Sequence, residues 1–183
     1  MKKNSFNRTL VELINLQPKE EDIDRIVTEG LSKIPKQLPA WFLYDEQGSI
    51  LFEKICKQPE YKITRTEINL LNHHSESISN YLGNGTIVEF GAGNGKKATP
   101  ILKANYKLSY LALDISLQQL KRSLKMLQAN FPNTNLLGIC CDHSQLTSLP
   151  KHPLIESKKL IGFFPGSSIG NYERNESIKL LSK

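Results

Sequence analysis

Three glycines at alternate positions, Gly91, Gly93 and Gly95, follow directly on the apolar run 86–90. Glycine there lets the backbone turn tightly and come close to a ligand, which a β-carbon would prevent. Three acids flank this loop at spacings that suit a nucleoside with a cationic end. Glu89, two residues before Gly91, would meet a positively charged group. Asp114 closes the next apolar run, where an acid can accept both hydroxyls of a ribose. Asp142, beside His143, ends the third run, near the place of an adenine. The loop is not a phosphate-cradling P-loop, because Lys97 follows Lys96 where Ser or Thr is needed, and Phe90 replaces the first glycine. It is not quite the dinucleotide fingerprint either, since Lys96 stands at the third glycine. Taken alone, the loop could also be an ordinary glycine-rich turn between a strand and a helix.

The elements that must carry these residues follow from periodicity. Residues 86–90, 109–114, 135–141 and 160–164 read as short strands, separated by helical spacing. Pro100 suits a first helical turn, and Ser116 an N-cap ahead of Leu117, Leu120, Leu124, Leu127 and Phe131. This alternation predicts βαβ units and a parallel sheet, with Glu89, Asp114 and Asp142 at the carboxyl ends of successive strands. Residues 1–82 lack strand-like runs and read as helices over 20–32, 49–57 and 65–82, broken at 34–39 and 59–64 by proline-containing links. A last helix is expected over 173–183.

The chain has 183 residues, 39% of them hydrophobic and 23% charged, as in a globular protein with a real core. Its +6 charge is spread in pairs such as Lys2–Lys3, Lys96–Lys97 and Lys158–Lys159, which argues against a nucleic-acid partner. No apolar run is long enough for an export signal or a membrane span, so the expected setting is the cytoplasm, with no membrane partner. Cys56, Cys140 and Cys141 make no metal-binding spacing, and no metal is expected; adjacent Cys140 and Cys141 would point to opposite faces of a strand. Adjacent His73 and His74 read as surface residues, and Arg65 and Glu67 as helix-start residues.

Together the glycine loop and ordered acids look like the class I S-adenosylmethionine fold, a Rossmann-like α/β architecture. Three further segments narrow the resemblance: Leu43-Tyr-Asp-Glu-Gln-Gly-Ser-Ile-Leu-Phe52, Gln58-Pro-Glu-Tyr-Lys-Ile-Thr-Arg-Thr-Glu67 and Phe163-Phe-Pro-Gly-Ser-Ser-Ile-Gly-Asn171. The trio resembles the histidine-specific methyltransferase family, whose members trimethylate the α-amino group of histidine on the route to ergothioneine. A sister branch methylates a prenylated tryptophan. The resemblance implies that Glu89, Gly91, Gly93, Lys97, Asp114, Asp142 and His143 line an S-adenosylmethionine site. It further implies that Tyr61 and Asn171 face a histidine-like amino acid, with Tyr44 nearby as a candidate for assisting at the amine. Family members more often carry Phe where His143 stands; Gly95, Lys96 and Pro165 are milder departures.

On this resemblance, residues 1–82 form a helical N-terminal segment on the substrate side, and 83–183 a partial cofactor-binding domain. The family continues beyond the position of Lys183 with more sheet and a lid-like subdomain. The sheet is therefore expected to be incomplete at its C-terminal side, with one edge of the strand at 160–164 unpaired. The alternative to an amino-acid N-methyltransferase is a truncated, non-catalytic fragment, or one half of a split enzyme that binds the cofactor or a complementary chain.

Overall fold

The computed structural model of the protein describes residues 11–16 and 22–182. Strand β1 (Val11–Asn15) is followed by helices α1 (Ile23–Ser32), α2 (Glu46–Cys56), α3 (Ile63–His73) and α4 (Ser75–Leu82). Then come β2 (Gly85–Phe90), α5 (Thr99–Ala104), β3 (Ser109–Asp114), α6 (Leu117–Asn130) and β4 (Leu136–Cys140). The described chain closes with α7 (Pro153–Glu156), β5 (Lys159–Phe163) and α8 (Arg174–Leu181). The strands form one sheet in the order β1-β4-β3-β2-β5, and every pair is parallel. This is the expected α/β class.

Alternation along each strand divides the core between the two sheet faces. Ile87, Tyr110, Leu136 and Cys140 meet Ile101, Leu102, Leu120, Leu124 and Leu127 from α5 and α6 on one side. Val88, Leu111, Leu137, Ile139 and Cys141 meet Leu154 of α7 on the other. The adjacent cysteines do separate to opposite faces. Pro100 lies in the first turn of α5, and the Ser116 side chain caps α6 by accepting from the Gln119 N–H.

The N-terminal region departs from the expectation in three ways. It contributes a strand: β1 pairs with the outer edge of β4, Val11 against Leu136 and Asn15 against Cys140. A five-residue segment with Glu12 as its second residue carries little local signal, and its pairing partners lie far along the chain. Helix α2 begins at Glu46 rather than Ser49, because the Asp45 carboxylate accepts the Gly48 N–H at 2.6 Å and starts the turn earlier. The helix expected over 65–82 is two helices, interrupted at His74, where the Ser75 hydroxyl donates to the Asn72 carbonyl. Glu20 and Lys183, the expected ends of the first and last helices, lie outside the described residues, as do Lys2 and Lys3.

β5 is an edge strand, bonded to β2 through the register Glu89 against Phe163. Among the described residues no strand covers its other side, and Leu160 is 38% exposed. The chain then turns through Ser168–Asn171 as a short 3-10 helix into α8, whose start is closed by a reciprocal Glu173–Glu176 capping box. No helix among the described residues is long and apolar enough to cross a membrane.

Candidate functional site

The carboxyl ends of β2, β3, β4 and β5 carry Glu89 and the glycine loop, Asp114, the Asp142–His143 pair and the segment to Asn171, while Tyr44 and Tyr61 come from the region before β2. Gly91, Gly93 and Gly95 all have positive φ, between 54° and 68°, conformations that side chains resist. Nothing lies within 4 Å of where a β-carbon on Gly91 would stand, so the backbone there is open to a ligand. The loop is fastened to β3 at two points. The Ala92 N–H bonds the Leu113 carbonyl at 3.0 Å, and the Gly93 N–H bonds Asp114 Oδ2 at 2.7 Å.

Glu89 is 1% exposed, and the Tyr110 hydroxyl donates to its Oε2 at 2.5 Å. Burial pushes its pKa up to about 8, against the opposing effects of the Tyr110 hydrogen bond and the Lys97 charge. Burial also pushes Asp114 up, opposed by the backbone N–H groups of Ser116 and Gly93. The Ser116 bond reaches Oδ1 at 2.8 Å. Both Asp114 oxygens thus hold backbone donors, and the carboxylate keeps acceptor capacity for a ligand.

Asp142 closes a local ring: its Oδ1 accepts from the Ser144 N–H and hydroxyl, and its Oδ2 from the Gln145 amide at 2.8 Å. His143 sits among rings, with centroids 5.8 Å from Phe90 and 6.0 Å from Phe164, and its Nε2 lies 3.1 Å from the Tyr172 hydroxyl. A cluster of rings of this kind could stack on or border a planar base.

Lys97 is not a surface lysine. Its ammonium stands 2.8 Å from Glu67 Oε2, with both side chains mostly covered. Glu67 Oε2 is buried, and among the described residues the Lys97 ammonium is the charge that faces it. The pair is an ion pair, and it ties α3 to the segment that follows the glycine loop. Glu67 Oε1 takes the Gly166 N–H at 2.6 Å.

The residues expected on the substrate side are held differently. The Asn171 amide donates to the Tyr44 hydroxyl at 2.7 Å, joining positions 127 apart in sequence. Tyr61 is seated edge-on against Phe52 of α2, 6.0 Å between centroids. Its turn is fixed by Arg65, whose guanidinium donates to the carbonyls of Gln58 and Pro59 at 2.8 and 2.6 Å. Tyr172, next to Asn171, reaches His143, so adjacent residues of one turn touch both groups of side chains.

Sequence reasoning missed Tyr110, Tyr172, and the tethering by Arg65 and Glu67. For Tyr110 a signal existed: it shares the Asp114 face of β3 by period two, and Ala112 between them pairs with Glu89. The contacts of Arg65 and Glu67 depend on turns and loops with no comparable periodicity.

Comparison with known proteins follows the same lines. A family model described as histidine-specific methyltransferase, SAM-dependent, matches residues 21–183. Ergothioneine biosynthesis protein 1 of Neurospora crassa is 34% identical over 154 residues, covering 80% of this chain and 17% of that protein. Histidine N-alpha-methyltransferase of Mycolicibacterium smegmatis is 32% identical over 155 residues, covering 82% of this chain and 47% of the relative. The chain thus spans less than half the length of both. A solved structure from Methanococcus maripaludis, assigned as an S-adenosyl-L-methionine-dependent methyltransferase, superposes with a TM-score of 0.51 at 18% identity. It covers 75% of this chain and 57% of that one, and supports the fold.

Proposed function

Since the chain belongs to the histidine-specific, SAM-dependent methyltransferases, we propose that it binds S-adenosylmethionine and serves N-methylation of the α-amino group of histidine or a related amino acid. The observation that carries this is the convergence of Glu89, Asp114 and the Asp142–His143 pair on the open glycine loop, beside the tether between Tyr44 and Asn171.

The residues present fit the cofactor. Buried Glu89 offers a carboxyl to an ammonium, and Asp114 keeps lone pairs for hydroxyls. Phe90, His143 and Phe164 offer ring faces and edges to a base, while Lys97 offers a cation to a carboxylate. The bound cofactor supplies an electrophilic methyl group on a sulfonium, so the protein's part is orientation, exclusion of water and acceptance of the amine proton. Asn171 would hold the amino-acid backbone, Tyr61 would border its side chain, and the Tyr44 hydroxyl would assist at the amine. Free thiols at Cys56, Cys140 and Cys141 suit a reducing compartment, and we assign the protein to the cytoplasm.

The test is incubation of the 183-residue chain with S-adenosylmethionine and a panel of free amino acids, read by mass spectrometry. N-methylated histidine, or methylation of a related amino acid, supports the proposal. Cofactor uptake with no methylated amino acid would favour the binding-only alternative.

A further inference from the structure

Glu67 belongs to none of the roles assigned above, yet it joins three separate parts of the site. It stands on α3, its Oε2 faces the Lys97 ammonium at 2.8 Å, and its Oε1 accepts the Gly166 N–H at 2.6 Å. Lys97 lies just beyond the glycine loop, and Gly166 just beyond β5, on the segment that leads to Asn171. The two ends of the clamp lie close together: a β-carbon on Gly166 would stand 2.3 Å from Lys97 Nζ and would displace the ammonium. Gly166 has φ +86°, so backbone conformation and lack of a side chain are both used there.

Lysine is flexible and strongly hydrated, and would ordinarily turn its charge to water. Here the side chain is 19% exposed, so a counter-charge must hold it in place. Glu67 supplies that charge through one oxygen, and an ammonium carries three protons, so donors remain for another acceptor. An acceptor carrying negative charge is the group this arrangement suits. We propose that Glu67 is a positioning residue, which holds Lys97 ready for the carboxylate at the amino-acid end of the cofactor. Through Gly166 it keeps the loop bearing Asn171 in step with Lys97. The inference rests on the assignment of Lys97 to the cofactor site.

The experiment compares S-adenosylhomocysteine with 5′-methylthioadenosine, which shares the nucleoside but has no amino-acid end. Both are titrated calorimetrically into the wild-type chain and into Glu67→Gln. The glutamine keeps an acceptor for Gly166 but loses the charge that faces Lys97. Affinity for S-adenosylhomocysteine should fall about tenfold or more, the scale of one charge-assisted interaction. Affinity for methylthioadenosine should stay within about twofold, which also shows that the variant is folded. In a Lys97→Met background, Glu67→Gln should have little further effect. Equal losses for both ligands would make Glu67 merely structural and overturn the proposal. Unchanged or tighter S-adenosylhomocysteine binding in Glu67→Gln would overturn it as well, the latter by showing that Glu67 competes for Lys97. A wild-type chain that takes up neither ligand would instead overturn the cofactor assignment on which the proposal rests.

Discussion

Glu89 and Asp114 are almost sealed from solvent and tied to Tyr110, Gly93 and Ser116, all positioned by β2, β3 and their immediate loops. Tyr44 is 41% exposed, follows a short 3-10 turn, and meets Asn171 from another 3-10 turn. The first group is set by the central strands, where register leaves each side chain little choice. The second depends on a hydrogen bond between exposed turns distant in sequence, where water competes. On the proposed assignment, the cofactor side is preorganised before any ligand arrives, and the amino-acid side can adjust to its substrate.

Changes to the buried group should therefore have the larger effect. Asp114→Asn turns one acceptor oxygen into an N–H group facing the N–H of Gly93 or Ser116. Leaving a buried donor unmet costs about 1–3 kcal/mol. At roughly 2–4 °C per kcal/mol for a domain of this size, a thermal melt should register the loss clearly. A melt unchanged by Asp114→Asn would show that the glycine loop is not fastened as described.

Glu89 gives a pH signature between these extremes. Its pKa in the folded protein, about 8, lies above the ordinary value of 4.5, so the folded state holds the proton more tightly than the unfolded chain. This contribution to stability is fully present below about 4.5 and is lost as pH rises towards and through about 8. Glu89→Gln should flatten the dependence of stability on pH across that window in chemical denaturation. A cationic group arriving at Glu89 favours the carboxylate, so S-adenosylhomocysteine should bind more tightly as pH rises towards about 8, with proton release. Calorimetry in buffers of different ionisation enthalpy reads that proton directly.

The smallest effect is expected on the exposed side. Tyr44→Phe removes the acceptor of the Asn171 amide where solvent can replace it, so stability should change by no more than about 0.5–1 kcal/mol. A denaturant loss as large as that of Asp114→Asn would erase the contrast between the two regions.

How much of this was legible in the sequence follows the same division. Strands β2, β3, β4 and β5, the Ser116 cap and the placement of the three acids at strand ends could be read from local periodicity. β1 could not, because its five residues gain their meaning only beside β4. The break at His74 was hidden by an apolar spacing that continues through Ile68, Leu71, Ile78 and Leu82 on both sides of it. At the site, a carboxylate after a strand announces itself, whereas its partners do not. Tyr110 reads as core, and Glu67 as part of a helix start, until folding places them against Glu89 and Lys97.

On the proposed function, the carboxyl edge of the sheet takes an adenosyl amino acid rather than a dinucleotide. Titration of S-adenosylhomocysteine and NAD into the wild-type chain and into Asp114→Ala, by isothermal calorimetry, tests it directly. S-adenosylhomocysteine should bind in preference to NAD, and its binding should weaken in Asp114→Ala by about 1.5–3 kcal/mol for hydrogen bonds to a charged group. Tight NAD binding, or an affinity for S-adenosylhomocysteine that does not change when Asp114 is removed, would contradict it.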